Sequence, residues 1–217
     1  MTERPLFIII NYIYMLFMIN IYFVFSNLLF FYGYFFADTA FDYLAIIFIS
    51  LIPMGPALAA VFYTMGKLVR EKEISPMKDF IKGYKQNFKI SLSYWLGQLS
   101  LLFILTLNYY YITRTGELTG LLPLFLSLGF FLLTLNLYAF PILTRFEMKT
   151  KNLWILSAYC FFKHWKLTLL NLTTVISFVF IYYQFASLLF LFFSSLLAYF
   201  LMYNLRNLFE RLEAQGE

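Results

Sequence analysis

"PMKDFIKGYKQNFK" (residues 76–89) runs without interruption into "ISLSYWLGQLSLLFILTLNYYYIT" (90–113). The first stretch carries four lysines and one aspartate, and the second carries no charge at all. In the first, Met77, Phe80, Ile81, Tyr84 and Phe88 recur at i, i+3, i+4, i+7 and i+11, which predicts one apolar helix face. In the second, every face is apolar over a length that can cross a bilayer, since about 20 residues cover a hydrocarbon core of about 30 Å. A basic amphipathic helix leading straight into a membrane span therefore sets the question for the whole chain.

Composition gives the setting. The 217 residues are 62% apolar and 23% aromatic but only 12% charged, whereas a soluble domain carries about 25% charged residues. Charge-free runs cover 5–37, 43–66, 90–113, 118–144 and 167–205. Each of the first four can hold one span. The last would reach about 58 Å as a single helix, so it is predicted to fold as two spans joined by a tight turn near Gln184 to Ser187. Strands of a membrane β-barrel would alternate apolar and polar residues, and no such alternation occurs. The fold class predicted is all-α: a polytopic integral membrane protein whose single transmembrane domain covers 1–217. Its spans fall at about 8–31, 43–66, 90–112, 119–142, 167–184 and 187–205, with amphipathic helices at about 76–88 and 152–165. The first apolar run is too long for a cleaved signal peptide and lacks a small-x-small site, so that span is expected to be retained.

Basic residues orient such a chain. Arg4, the seven basic residues from Lys67 to Lys89, the five from Arg145 to Lys166, and Arg206 and Arg211 fall on one side, and only Arg114 falls on the other. This 15:1 division places both termini and the two long loops in the cytoplasm and explains the net charge of +5 by an anionic inner leaflet. No nucleic-acid partner is called for. The aromatic segment 33–43 is expected along the outer interface. Trp95, Trp154 and Trp165 are expected in the inner aromatic belt.

"NFKISL" (87–92) aligns with "HWKLTL" (164–169), and each follows a span containing proline, Pro56 or Pro141. This suggests a parallel internal repeat, 43–112 and 119–184. Pro53, Gly55 and Pro56 are predicted to kink the second span, leaving backbone carbonyls for neighbouring helices to satisfy; with Pro141 they are the hinge candidates. "GPALAA" (55–60) could allow one close helix approach.

Ionisable groups inside a bilayer are costly enough to mark function, yet no Asp, Glu, Lys, Arg or His falls inside a predicted span. The single histidine, His164, has no metal-ligating or triad partners. The one cysteine, Cys160, excludes an intramolecular disulfide and reads as a small filler, and no phosphate-binding loop occurs. The chain is therefore expected to be non-enzymatic, with no cofactor and no metal. Asparagines within the spans read as interhelical hydrogen-bond formers. The amphipathic helices have two candidate roles. They either lie on lipid or dock a partner through Met77, Phe80, Ile81, Tyr84, Phe88, Trp154 and Trp165.

"PMGPALAAVFYTMGKLVREKEISPMKDFIKGYKQNFKIS" (53–91) and "LYAFPILTRFEMKTKNLWILSAYCFF" (137–162) resemble the YesL family of small bacterial six-span membrane proteins. The likeness lies in the proline-bearing second span, the lysine-rich F-x-x-x-Y-K-x-N-F helix and the Y-x-F-P-x-x-x-R-F element. Glu71-Lys72-Glu73 stands where that family commonly has a glycine-containing turn. The resemblance implies a protein of the bacterial plasma membrane, an accessory subunit or modulator of a carbohydrate ABC importer. Its implied partners are ABC permease subunits and a sugar-binding lipoprotein. No catalytic residue is implied. The alternative is a stand-alone facilitator for an uncharged solute.

Overall fold

The computed structural model describes residues 5–30, 32, 46–185 and 190–214, and all regular structure among them is helical. The helices are α1 (Pro5–Ser26), α2 (Met54–Glu71), α3 (Pro76–Thr115), α4 (Leu122–Leu143), α5 (Thr150–Lys163), α6 (Trp165–Gln184) and α7 (Phe193–Ala214). A 3-10 turn, Thr119–Leu121, leads into α4. The outer-interface segment 33–43 lies outside the described residues, apart from the sequence features noted above.

Among the described residues, five helical segments are long and apolar enough to cross a membrane: Phe7–Ser26, Ile46–Glu71, Pro76–Thr115, Thr119–Leu143 and Trp165–Gln184. Their surfaces agree with that setting. Phe7, Ile9, Ile104, Leu126, Phe130, Ile176 and Phe180 are all more than half exposed, far more apolar surface than a soluble monomer presents. The long run 167–205 does divide into two helices. The turn expected near Gln184 to Ser187 falls partly outside the described residues, and α7 begins at Phe193. α7 is not among the five segments, since its second half carries Arg206, Glu210, Arg211 and Glu213.

The stretch 76–113 departs from the sequence reading. Instead of an amphipathic helix followed by a separate span, α3 is one helix of 40 residues, about 60 Å long at 1.5 Å per residue. Nothing at the junction breaks the ladder. The Asn87 side chain donates to the Gly83 carbonyl (3.0 Å) and the Ser91 hydroxyl to that of Asn87 (2.7 Å), so both fold back on their own helix. The predicted helix 152–165 instead forms as α5 and ends at Lys163, with His164 (φ −104°, ψ 46°) separating it from α6.

The second span contains a turn at the predicted prolines. Residues 46–50 are helical, residues 51–53 form a turn, and α2 starts at Met54. Pro56 thereby sits in a first turn, where a missing N–H costs nothing. Trp95 then donates its indole N–H to the Leu51 carbonyl (2.8 Å), which also accepts the Met54 N–H (3.0 Å), so α3 is tied to the turn through a shared acceptor. Gly55 makes this possible: a Cβ there would stand 2.5 Å from Trp95 Cβ. Pro141 lies in the last turn of α4, which stops two residues later.

α2 is the centre of the core. Ala57, Ala59, Ala60, Val61 and Met65 are fully buried, and α2 touches α1, α3, α4 and α7. These small side chains let four neighbours approach one helix, the arrangement that replaces a hydrophobic driving force between helices in lipid.

Candidate functional site at the lysine-bearing end

The turn after α2 is built around a charge pair. α2 ends with Lys72 as its C-cap in the left-handed region (φ 61°), its N–H bonded to the Leu68 carbonyl (2.9 Å). Three residues on, Ser75 caps α3 and its N–H donates to Asp79 (2.8 Å). Lys67 Nζ donates to both Asp79 carboxylate oxygens at 2.9 and 3.0 Å. The Asp79 side chain is only 8% exposed. The single aspartate in the lysine run thus neutralises a lysine of the preceding helix and fastens α2 to α3. Closer to the membrane-type half, Gly83 lets Tyr63 lie against α3, where a Cβ would stand 2.7 Å from the ring.

This pinning divides the predicted apolar face of α3. Phe80 is 5% exposed, in ring contact with Tyr22 (5.7 Å) and Tyr84 (6.4 Å), and Tyr84 is half-buried beside Phe88. Phe80 belongs to the chain's own core and is not a surface contact. Met77 (60%), Ile81 (41%) and Phe88 (39%) remain exposed. Their i, i+4, i+11 spacing makes a narrow apolar seam, and the exposed Lys78, Lys82, Lys85 and Lys89 flank it on one side.

The tryptophans separate as well. Trp95 is buried against Phe140 and is a structural lock instead of a belt residue. Trp154 is half-buried, its ring 4.7 Å from that of Tyr94 and tilted by 43°. Trp165 is 59% exposed at the start of α6. Cys160 is fully buried, and burial pushes its thiol up to about 11 against the opposing pull of Lys163, so it holds little thiolate at neutral pH.

One further feature escaped the sequence reading because it depends on where α7 returns. Arg145 donates to both carboxylate oxygens of Glu213 (2.5 and 2.7 Å). This hydrogen bond holds the Glu213 carboxyl below its usual range. Some polar residues of the spans are tied between helices: Asn20 to the Phe190 carbonyl and the Ser194 N–H, Gln98 to the Leu132 carbonyl, and Asn204 to Asn171 and Thr174. Asn27, Asn108 and Asn136 instead donate to the Phe23, Ile104 and Leu133 carbonyls one turn back along their own segments. Among the described residues no group of three His, Cys, Asp or Glu side chains comes together.

With this geometry in view, comparison adds one finding. The model of a family described as a protein of unknown function, DUF624, matches residues 7–109, from α1 into the membrane-type half of α3. It spans just under half of the chain and takes in α2, the turn after it and α3 up to residue 109. No curated protein and no solved structure matches the chain.

Proposed function

We propose that this chain is a non-catalytic six-span protein of the YesL-like kind in the bacterial plasma membrane, with both termini cytoplasmic. Its role is that of an accessory subunit or modulator of a carbohydrate ABC importer. The observation that carries the interaction reading is the continuity of α3. A helix of about 60 Å is twice the thickness of a hydrocarbon core of about 30 Å. If 90–112 crosses the membrane, 76–89 continues past it by about 20 Å and stands up instead of lying along the lipid. The seam of Met77, Ile81 and Phe88 then faces away from acyl chains, and a partner helix laid along it would cover these side chains while its acidic residues met the flanking lysines. That a sugar importer supplies the partner rests on the YesL resemblance alone.

The six-span reading adds α7 to the five long apolar segments. The 15:1 division of basic residues then keeps Arg206 and Arg211 on the same side as the α2–α3 turn.

The test is co-purification of tagged protein from its native host in mild detergent. Wild type is expected to retain permease subunits, and Met77→Asp combined with Ile81→Asp to lose them while inserting normally. Retention by the double variant would remove the seam from the contact. Phe80→Asp is a poor probe because it strikes the core.

A second reading, a facilitator for an uncharged solute, draws on a cavity of about 280 Å³ lined by Asn20, Phe23, Asn27, Met54, Tyr182 and Phe193. Both polar ends of the Asn20 amide are already spent on α7 and the turn before it, which weakens that reading. Saturable solute flux into liposomes holding only this protein would revive it.

A further inference from the structure

The joint between α5 and α6 makes a second feature at the lysine-bearing end. A groove of about 430 Å³ opens between this joint and α7. Lys163, His164, Lys166 and Arg211 line one part of it, and Leu167 and Leu170 another, with Asn204 and Asn207 between. No acidic side chain lines it among the described residues. The nearest acids along α7 are otherwise placed: Glu213 is paired with Arg145 and Glu210 is not part of the wall. The cations also lack acids of their own. Lys163 donates to the Tyr159 hydroxyl and lies over its ring, and Lys166 lies over the Trp165 ring. Neither Lys166 nor Arg211 belongs to any of the ion pairs among the described residues.

We propose that this groove binds the phosphate-bearing headgroup of an anionic phospholipid, held by Lys163, Lys166 and Arg211. Three unneutralised cations in one concavity concentrate positive potential, and a basic pocket between membrane helices at the cytoplasmic side suits a phosphate headgroup. Local chemistry registers that potential. Burial, Lys163 and Arg211 together hold the His164 imidazole below its usual pKa, opposing one more positive charge. The apolar part distinguishes a lipid from free phosphate. Leu170 lies more than one helical turn into α6, is half exposed, and continues into the exposed Leu169 and Ile176, a surface on which acyl chains can lie. Trp165, exposed at the rim, suits headgroup depth.

The inference rests on the six-span reading only for which leaflet supplies the lipid. Its test uses the full chain in vesicles of zwitterionic phospholipid to which brominated-acyl lipid is added, either zwitterionic or anionic. Trp95 is buried and Trp154 half-buried, whereas Trp165 is 59% exposed, so the quenching that Trp165→Phe abolishes is the part that reports on the groove. The anionic lipid is expected to associate on the order of a hundredfold more strongly, about 1 kcal/mol for each of the three basic residues. Replacing Lys166 or Arg211 by Gln is expected to reduce that preference about fivefold each, the factor for about 1 kcal/mol per basic residue near a membrane surface. Equal quenching by the two lipids, or an unchanged preference in Lys166→Gln combined with Arg211→Gln, would overturn the proposal. So would displacement by millimolar inorganic phosphate at constant ionic strength, which would assign the groove to a free anion. Leaflet placement is tested separately. A cysteine introduced at Lys82 should react with an impermeant reagent only in inverted vesicles, and reaction in intact cells would overturn the topology while leaving the lipid preference standing.

Discussion

The two lysine-rich helices enter their spans differently. In "NFKISL" (87–92) the chain stays helical and α3 continues straight through, whereas in the aligned "HWKLTL" (164–169) it breaks at His164. The hydroxyls at the matching positions show what the break demands. Ser91 bonds only within its own helix, to Asn87 and Phe88. Thr168 accepts or donates in a wider set: its hydroxyl meets the Phe161 carbonyl (2.9 Å), the His164 carbonyl (3.3 Å) and the Tyr138 hydroxyl (2.8 Å). A continuous helix supplies its own hydrogen bonds. A broken one needs side chains from α4 and α6 to satisfy the carbonyls it releases. The unbroken copy projects a rigid seam, and the broken copy opens a groove.

That contrast can be broken at named positions. The largest effect is expected where the first copy is fastened. Asp79→Asn leaves Lys67 without its buried partner and the Ser75 N–H with a weaker acceptor. It should cost about 3 kcal/mol, read as a lowered midpoint of thermal unfolding in detergent. Gly55→Ala pushes a methyl group into Trp95 and should cost about 2 kcal/mol by overpacking. Gly97→Ala, whose Cβ would meet nothing closer than 3.9 Å, should be neutral by the same assay.

The hydroxyl pair sharpens the comparison directly. Thr168→Val is expected to destabilise by about 1–2 kcal/mol because the Phe161 carbonyl and the buried Tyr138 hydroxyl lose a partner. Ser91→Ala should cost less than about half of that, since its hydroxyl only supplements a complete ladder. Lys72→Gly should move stability the other way, up by about 1 kcal/mol, because glycine holds φ 61° without a Cβ penalty. A small, pH-dependent effect belongs to Arg145–Glu213. The folded carboxyl titrates below its usual value, so the pair adds stability at neutral pH and loses it as pH falls through the folded value. Glu213→Gln should therefore remove less than about 1 kcal/mol at pH 7 and nothing in strong acid.

The glycine-containing turn of the YesL resemblance meets its physical counterpart at Lys72, a non-glycine residue in the left-handed region. The face of α3 was legible as apolar, but Phe80 and Met77 carry the same pattern signal and end in opposite places. Periodicity reports which side of a helix is apolar and cannot say whether a neighbour of the same chain already covers part of it. Lys67 and Asp79 are 12 residues apart across a turn whose geometry no local pattern specifies. The groove at Lys163 was invisible for a related reason, since Arg211 joins it from α7.

From sequence alone came the helical class, the apolar lengths, the charge asymmetry and the division of the 167–205 run. All follow from the cost of placing charge or unpaired backbone in hydrocarbon, which is paid residue by residue and leaves a local record. Tertiary structure decided that α3 is one helix and α5–α6 are two, that Trp95 ties α3 to the turn at Leu51, and which half of the amphipathic face stays open. Apart from the continuity of α3, each of these depends on the group that arrives from another helix to complete a hydrogen bond, pair a charge or cover a ring, and that partner is set by packing.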